Sequence, residues 1–315
     1  MNKVIALDLG GSHLTIALAN QNNIITKNKY NINQFNVFND VIDEIMSFYD
    51  KHNLNNEIIG IGIGAPNANY HTGCIHNAVN LPWKEVINVK KLLSQKFPHL
   101  INVIDNDANC AALGEKYYGS AKNIKDFLVI TLGTGLGSGI YCNDKIVRGA
   151  TGLAGELGHV ILINNGRLCT CGRNGCVESY ISTRGIFQTA IELATHYDNS
   201  SLFEYPQDKW TPKLIANLAS ANDMLSQSIF DKTAEYLALS LANYITLLEP
   251  SGIFLTGGIS QAGDILLKPL CKYINQYILP FHANSFKIDK SSLPEQNAAL
   301  LGVAALVWQE WQEKL

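Results

Sequence analysis

His159, Cys169, Cys171 and Cys176 bring one imidazole and three thiols into a short, glycine-rich stretch. That donor set suits a tetrahedral Zn²⁺, and four protein ligands leave no open position, so the ion it predicts is structural rather than catalytic. Gly172 and Gly175 let the chain curl between the last ligands. Buried cysteines beside an unrelated histidine would explain the same letters, but the segment is too polar and too rich in glycine to be a core element. Two glutamates flank the ligands, Glu156 three residues before His159 and Glu178 two after Cys176. Glutamate is ordinarily a solvated surface residue; held beside a rigid staple it becomes pre-organised to bind hydroxyls. If one ring nitrogen of His159 binds the metal, the other is left to donate a hydrogen bond to a ligand.

A second chemistry is written in three glycine turns, each following an apolar run: Asp8-Leu9-Gly10-Gly11-Ser12, Leu132-Gly133-Thr134-Gly135-Leu136-Gly137 and Leu255-Thr256-Gly257-Gly258. Glycine lets backbone N–H groups approach and point at a phosphate. Ser12 adds a hydroxyl. Asp8 is suited to hold a magnesium–phosphate unit through water, because Mg²⁺ keeps most of its hydration shell. One such turn could be an ordinary hairpin; three together favour a nucleotide-phosphate site. None is a Walker A loop, and the second is no dinucleotide fingerprint, since strand character resumes after it. Asp105-Asn106-Asp107 lies between an apolar run and a helical pattern. One of these residues can cap the helix. Three polar groups exceed that need, and a carboxylate at the mouth of a strand suits a general base.

These groups need strands and helices to hold them. Strand patterns cover residues 3–9, 14–19, 23–30, 58–64, 102–104, 127–132, 139–142 and 253–256. Helical spacing covers 37–51, 108–118, 183–196, 212–221, 223–248 and 297–312, and 149–176 reads as irregular loops. Alternating strands and helices predict an α/β fold. The strand–Gly-Gly starts at Asp8 and Leu255 predict two related halves, with a second unit beginning near residue 120. The 315 residues suffice for two medium domains, and nearly half are apolar. The formal net charge of −3, with both signs interspersed, argues against a nucleic-acid surface. No apolar run is long enough to span a bilayer, and the opening residues lack a signal-peptide pattern, so a cytoplasmic protein is expected. Cys74, Cys110, Cys142 and Cys271 are scattered and read as small apolar residues rather than a disulfide framework.

The order of Asp8-Leu9-Gly10-Gly11-Ser12, Asp105-Asn106-Asp107, Gly133-Thr134-Gly135, the Gly-Glu-x-Gly-His segment at 155–159 and the Cys-x-Cys-Gly-x-x-Gly-Cys-x-Glu segment at 169–178 resembles the ROK family of sugar kinases and regulators. The resemblance spans nearly the whole chain. It implies an actin-like ATPase (ribonuclease H-like) α/β fold of two domains with a central cleft: residues 1–119 with about 297–315 as one, 120–296 with the zinc loop as the other. It implies ATP with Mg²⁺, a structural Zn²⁺ on His159, Cys169, Cys171 and Cys176, and a homodimer. Asp107 would be the base that deprotonates the sugar's 6-hydroxyl. Asn106, Glu156, His159 and Glu178 would bind the sugar. Asp8, Gly10, Gly11, Ser12, Thr134, Gly135, Gly257 and Gly258 would face the nucleotide. Ser12 stands where the family usually has threonine, which also supplies a hydroxyl.

Within the family, Asn80-Leu81-Pro82-Trp83 is similar to the glucokinase branch, with Asn80 expected to reach the sugar and Leu81 and Trp83 to anchor the loop. A hexose kinase acting on glucose is therefore the leading expectation. An N-acetylhexosamine kinase acting on N-acetylmannosamine or N-acetylglucosamine is the alternative of the same fold. A non-catalytic sugar-sensing regulator is the alternative of another class. Regulators of the family carry a DNA-binding segment ahead of the phosphate motif, and Asp8 lies almost at the start of this chain, so no nucleic-acid partner is expected.

Overall fold

The computed structural model describes residues 2–53, 56–76, 81–293 and 297–314. They form two compact units: 1–123 with 146–154 and 292–315, and 124–145 with 155–291.

In unit 1, strands β1 (Lys3–Leu9), β2 (His13–Ala19) and β3 (Ile24–Asn31) form an antiparallel meander. β4 (Ile58–Ala65) and β5 (Ile101–Asn106) extend it in parallel, giving the order β3-β2-β1-β4-β5. Helix α1 (Phe38–His52) buries Phe38, Val41, Ile42, Ile45 and Phe48 against the face carrying Ile5, Leu7, Leu9, Leu14 and Ile16. This is the i, i+3, i+4 stripe expected of an amphipathic helix. Between β4 and β5 run three short antiparallel strands (Ala68–Asn69, Cys74–Ile75, Ile87–Asn88) and helix α2 (Val89–Lys96). Periodicity does not reveal these pieces, because two-residue strands and a short helix rich in lysine carry too few apolar positions.

Helix α3 (Asp107–Tyr117) follows β5 without a loop, and the strand continues through Asp105 and Asn106 rather than stopping before them. α3 packs on the C-terminal helix Ala298–Gln312. At the crossing a Cβ added to Gly302 would stand 1.9 Å from the carbonyl oxygen of Cys110. Only hydrogen in place of a side chain lets the two backbones meet there.

The second sheet has β6 (Phe127–Leu132), β7 (Leu136–Cys142), the two-residue β8 (Lys145–Ile146), β9 (Gly252–Thr256) and β10 (Lys287–Lys290) in the order β8-β7-β6-β9-β10. β6 and β7 pair antiparallel, while β9 lies parallel to both β6 and β10. Strand order and direction in the pairs around β6 repeat those around β1, so the two halves share one plan. Five helices belong to unit 2: α4 (Glu178–Ile181), α5 (Thr183–Ala194), α6 (Pro212–Ser220), α7 (Met224–Leu248) and α8 (Asp264–Tyr277). No helix among the described residues is long and apolar enough to cross a membrane.

The Gly302 crossing gives a direct test. In a free helix Gly→Ala stabilises by up to ~1 kcal/mol. Here the methyl meets backbone that cannot rotate away, and overpacking costs about 1–3 kcal/mol. Gly302→Ala should therefore lower the unfolding free energy in a urea titration; equal or higher stability would show that the helices can separate without loss.

Candidate functional site

In unit 1 the carboxyl ends of the parallel strands carry the acidic groups, the end at which open α/β sheets bind ligands. One register row crosses all five strands: Lys29, Thr15, Asp8, Gly64 and Asp105. Gly64 puts no side chain between the two aspartates. Asp8 ends half-buried beside the hairpin turn, where the Gly10 N–H donates to the His13 carbonyl at 2.9 Å and Gly11 and Ser12 are exposed. Its pKa is pushed up to about 6, first by burial and then by the Asp107 charge, with Lys29 opposing.

Asn106 is the cap of α3. Its side-chain oxygen accepts from Ala108 N at 2.9 Å and Asn109 N at 3.4 Å. Asp107 is thereby relieved of that task. Its Oδ1 accepts from Ala108 N at 2.9 Å, a backbone donor, and no side chain among the described residues pairs with its carboxylate. Asp107 keeps an accessible face, yet burial by the surrounding protein raises its pKa against the pull of backbone N–H groups. Asp105 differs: it is 1 % exposed, its Oδ1 accepts from Asn106 N (2.8 Å) and Asn109 Nδ2 (2.9 Å), and its Oδ2 accepts from Arg148 Nε (2.7 Å). Buried and ion-paired to Arg148, Asp105 is less suited than Asp107 to take up a proton. Sequence spacing does not single out Arg148, because its partner is remote in the chain.

Unit 2 brings two glycine turns to one end of its sheet. The first is closed by the Gly133 N–H donating to the Gly135 carbonyl at 3.0 Å, with Thr134 exposed at its tip. The second begins where Thr256 pairs with Thr131, and Gly257, at φ +88°, passes so close to Leu132 that a Cβ would lie 2.4 Å from its carbonyl oxygen. Gly258 faces open space. A 3₁₀ turn, Gly258–Ala262, precedes α8, so the regular helix starts only at Asp264.

The four predicted metal ligands converge. His159 Nδ1 and the sulfurs of Cys169, Cys171 and Cys176 all lie within 4.8 Å of one another. Cys169 Sγ is 3.7 Å from His159 Nδ1, and Cys171 Sγ is 3.7 Å from Cys176 Sγ. Two atoms each ~2.3 Å from a tetrahedral ion stand roughly 3.8 Å apart, so the spacing fits Zn²⁺. Burial and the neighbouring thiols push the Cys176 thiol up to about 12. At Cys171 burial acts in the same direction but is outweighed by hydrogen bonds from the Arg173 backbone and side chain, which help bring it down to about 6. His159 Nε2, on the other side of the ring, is 4.0 Å from Glu156 Oε2. Glu178 ties the metal loop to the first glycine turn: Oε1 accepts from Thr170 Oγ1 at 3.1 Å and Oε2 from Leu136 N at 2.9 Å. Leu81 and Trp83 are buried in the core of unit 1, with Trp83 edge-on to Phe38, so they anchor their loop. Asn80 lies outside the described residues.

Two predictions come from these geometries. The purified chain should carry one zinc ion, and Cys171→Ser should lose it, since metal binding and local folding are linked. Elemental analysis finding no zinc in the folded wild type would refute the assignment. The second concerns Asp8, whose folded pKa lies above the unfolded carboxylate value, so that ionisation destabilises the fold. That penalty is absent below the unfolded pKa of ~3.9, grows as pH rises and is complete above about 6. Asp8→Asn should raise the melting temperature at pH 7.5 and lose the advantage towards pH 4; a gain independent of pH would contradict it.

The sequence matches the ROK family over residues 4–310. A glucokinase of Halalkalibacterium halodurans is 38 % identical across 86 % of this chain and 82 % of that protein. A xylose repressor of Caldicellulosiruptor bescii is 32 % identical across 79 % of this chain and 62 % of the repressor. A crystal structure of a ROK family glucokinase from Streptomyces griseus in complex with glucose and AMPPNP superposes with a TM-score of 0.81 at 28 % identity, covering 98 % of this chain and all of that one. The α/β architecture is that of the ROK sugar kinases, two mixed five-stranded sheets of the actin-like ATPase type. The zinc-type ligand cluster, the glycine turns and the acidic strand end all fall within the matched span, and the chain belongs to the ROK family.

Proposed function

We propose that this chain is an ATP-dependent hexose kinase that transfers the γ-phosphoryl group of ATP to the 6-hydroxyl of glucose. The observation that carries the reading is Asp107: of the two carboxylates at the end of β5, it alone has no side-chain partner among the described residues, only backbone N–H donors, and burial raises its pKa. In the proposed reaction Asp107 accepts the proton of the sugar hydroxyl while that oxygen bonds to the γ-phosphorus. The bond from the γ-phosphorus to the β–γ bridging oxygen breaks, and ADP leaves.

Asp8 would hold Mg²⁺ through water. A cation there would offset the burial and the Asp107 charge that raise its pKa, and would neutralise charge on the phosphates. The backbone N–H groups of Gly10, Gly11 and Ser12, of Thr134 and Gly135, and of Gly257 and Gly258 would cradle the nucleotide. Asn106 retains its amide Nδ2 for a sugar hydroxyl. Asn80, Glu156, His159 through Nε2, and Glu178 would bind the others. Glu178 can do so through Oε2, which accepts one bond, from Leu136 N, and keeps a second acceptor site. A structural zinc would hold His159 and the loop that carries Thr170 in place.

Similarity to glucokinases supports glucose over N-acetyl sugars. Similarity to a xylose repressor supports a second reading, a sugar sensor without turnover. One assay separates them: ADP release measured with glucose, mannose, fructose, N-acetylglucosamine and N-acetylmannosamine. Glucose should give the highest kcat/KM. Asp107→Asn should lose about 10²–10⁴-fold in kcat with little change in KM. Turnover of an N-acetyl sugar above that of glucose would overturn the choice of substrate, and silence with every sugar would favour the sensor.

A further inference from the structure

We propose that Arg148 is a positioning residue for phosphoryl transfer, which through Asp105 fixes the strand-to-helix turn presenting Asp107. The inference rests on the kinase reading above and adds a residue to it. Arg148 lies on 146–154, the segment that interrupts unit 2 and folds with unit 1. Its side chain is 13 % exposed, its Nε donates to Asp105 Oδ2, and its guanidinium carbon lies 3.7 Å from the centre of the Tyr70 ring. Tyr70 in turn donates to Glu310 on the C-terminal helix. The segment is held a second time by Asn69 Nδ2 donating to the Thr151 carbonyl at 2.7 Å, and it closes on itself through Ala154 N and the Arg148 carbonyl.

The consequence for Asp107 comes from how Asp105 divides its oxygens. Arg148 occupies Oδ2, which orients Oδ1 to accept from both the Asn106 N–H and the Asn109 amide. Those two bonds hold the residue before Asp107 and the residue two after it. Without Arg148 the buried carboxylate would be an uncompensated charge beside Asp8 and Asp107, and would have to protonate or turn. An ion pair at this place is a poor source of stability, since apolar residues of similar volume often serve as well. What it supplies is direction, because a guanidinium stacked on a ring and bonded to one carboxylate oxygen has little freedom to rotate. A misplacement of a reacting group by about 1 Å can cost 10²-fold in rate, so the brace acts on kcat rather than on sugar affinity.

Arg148→Met keeps side-chain length and removes the charge; Arg148→Lys keeps the charge and loses the planar stack. Both are compared with Asp105→Asn and with Arg148→Met/Asp105→Asn, using zinc content and cooperative melting to confirm folding. Arg148→Met should lower kcat about 10–100-fold with KM for sugar nearly unchanged, Arg148→Lys should recover a large part, and the double variant should lose no more than Asp105→Asn alone. Wild-type kcat in Arg148→Met, or additive losses in the double variant, would overturn the proposal. If Arg148→Met does not fold, failure of the folded Arg148→Lys to fall between wild type and Asp105→Asn does the same. Hydrogen exchange gives a readout without turnover: amides of 106–109 should exchange faster in either Arg148 variant, and unchanged exchange would overturn the brace. A wild type inactive on every sugar but with faster exchange in the variants would count against the kinase reading and leave the brace in place.

Discussion

The closeness of the C-terminal helix to the first sheet governs the geometry of unit 1. On the face away from α1, β4 presents Gly60, Gly62 and Gly64, and a Cβ added at any of them would fall 2.5, 2.7 or 2.8 Å from a methyl of Val307 or Val303. The helix therefore lies directly on backbone, and α3 crosses it at Gly302 with equally little room. With both helices held at that height, the first turn of α3 starts directly from the end of β5. The same absence of side chains leaves Gly64 as a gap in the row between Asp8 and Asp105. Packing that reads as ordinary core thus decides how close the acidic groups stand.

That closeness costs stability, and the charges are treated unequally. Asp105 is given a full complement: an arginine, a side-chain amide and a backbone N–H. Asp8 is pushed up by burial and by Asp107 with only Lys29 opposing, and Asp107 is pushed up by burial. A fold selected for stability alone would pair them. Carboxylates displaced upward in this way are candidates for functional sites, because a cation or a proton arriving with a ligand would relieve them. The compensated neighbour is what allows this, since a third unpaired carboxylate in the same place would make the turn unstable in any useful geometry.

Much of this was legible in the sequence wherever local chemistry and local structure coincide. The long apolar strands end in glycine turns, and the spacing of His159, Cys169, Cys171 and Cys176 announces a metal site without help from the rest of the chain. Three kinds of feature left no trace. The strands Ala68–Asn69, Cys74–Ile75 and Ile87–Asn88 are too short for any period to develop. Lys287–Lys290 forms an edge strand although it is mostly charged, because its pairing with β9 needs only backbone. The attachment of 146–154 to unit 1 rests on Arg148 meeting Asp105 and Asn69 meeting Thr151, contacts between residues far apart in the chain that share no pattern. The acid–amide run at 105–107 falls between: its importance is readable, but which residue caps, which is buried and which stays available follows only from the register of β5 and the first turn of α3.

The second unit solves a similar problem by different means. Where unit 1 uses helix packing to place its acids, unit 2 must hold a loop with almost no regular structure, and apolar burial is scarce in so polar a segment. Cross-links take over. Four ligand atoms converge at metal-binding distances, and Arg167 beside them donates to the carbonyls of Ser179 and Gly185 and to Thr189 and Glu192, pinning the loop to α5. Glu178 then joins this braced loop to the turn after β6, with one oxygen on Thr170 and the other on Leu136 N. A Cβ at Gly135 would stand 2.6 Å from that second oxygen, so the glycine serves the carboxylate as much as any ligand of the turn. Metal loop and glycine turn are therefore parts of one hydrogen-bonded piece, and loss of order in the first must be felt at the second.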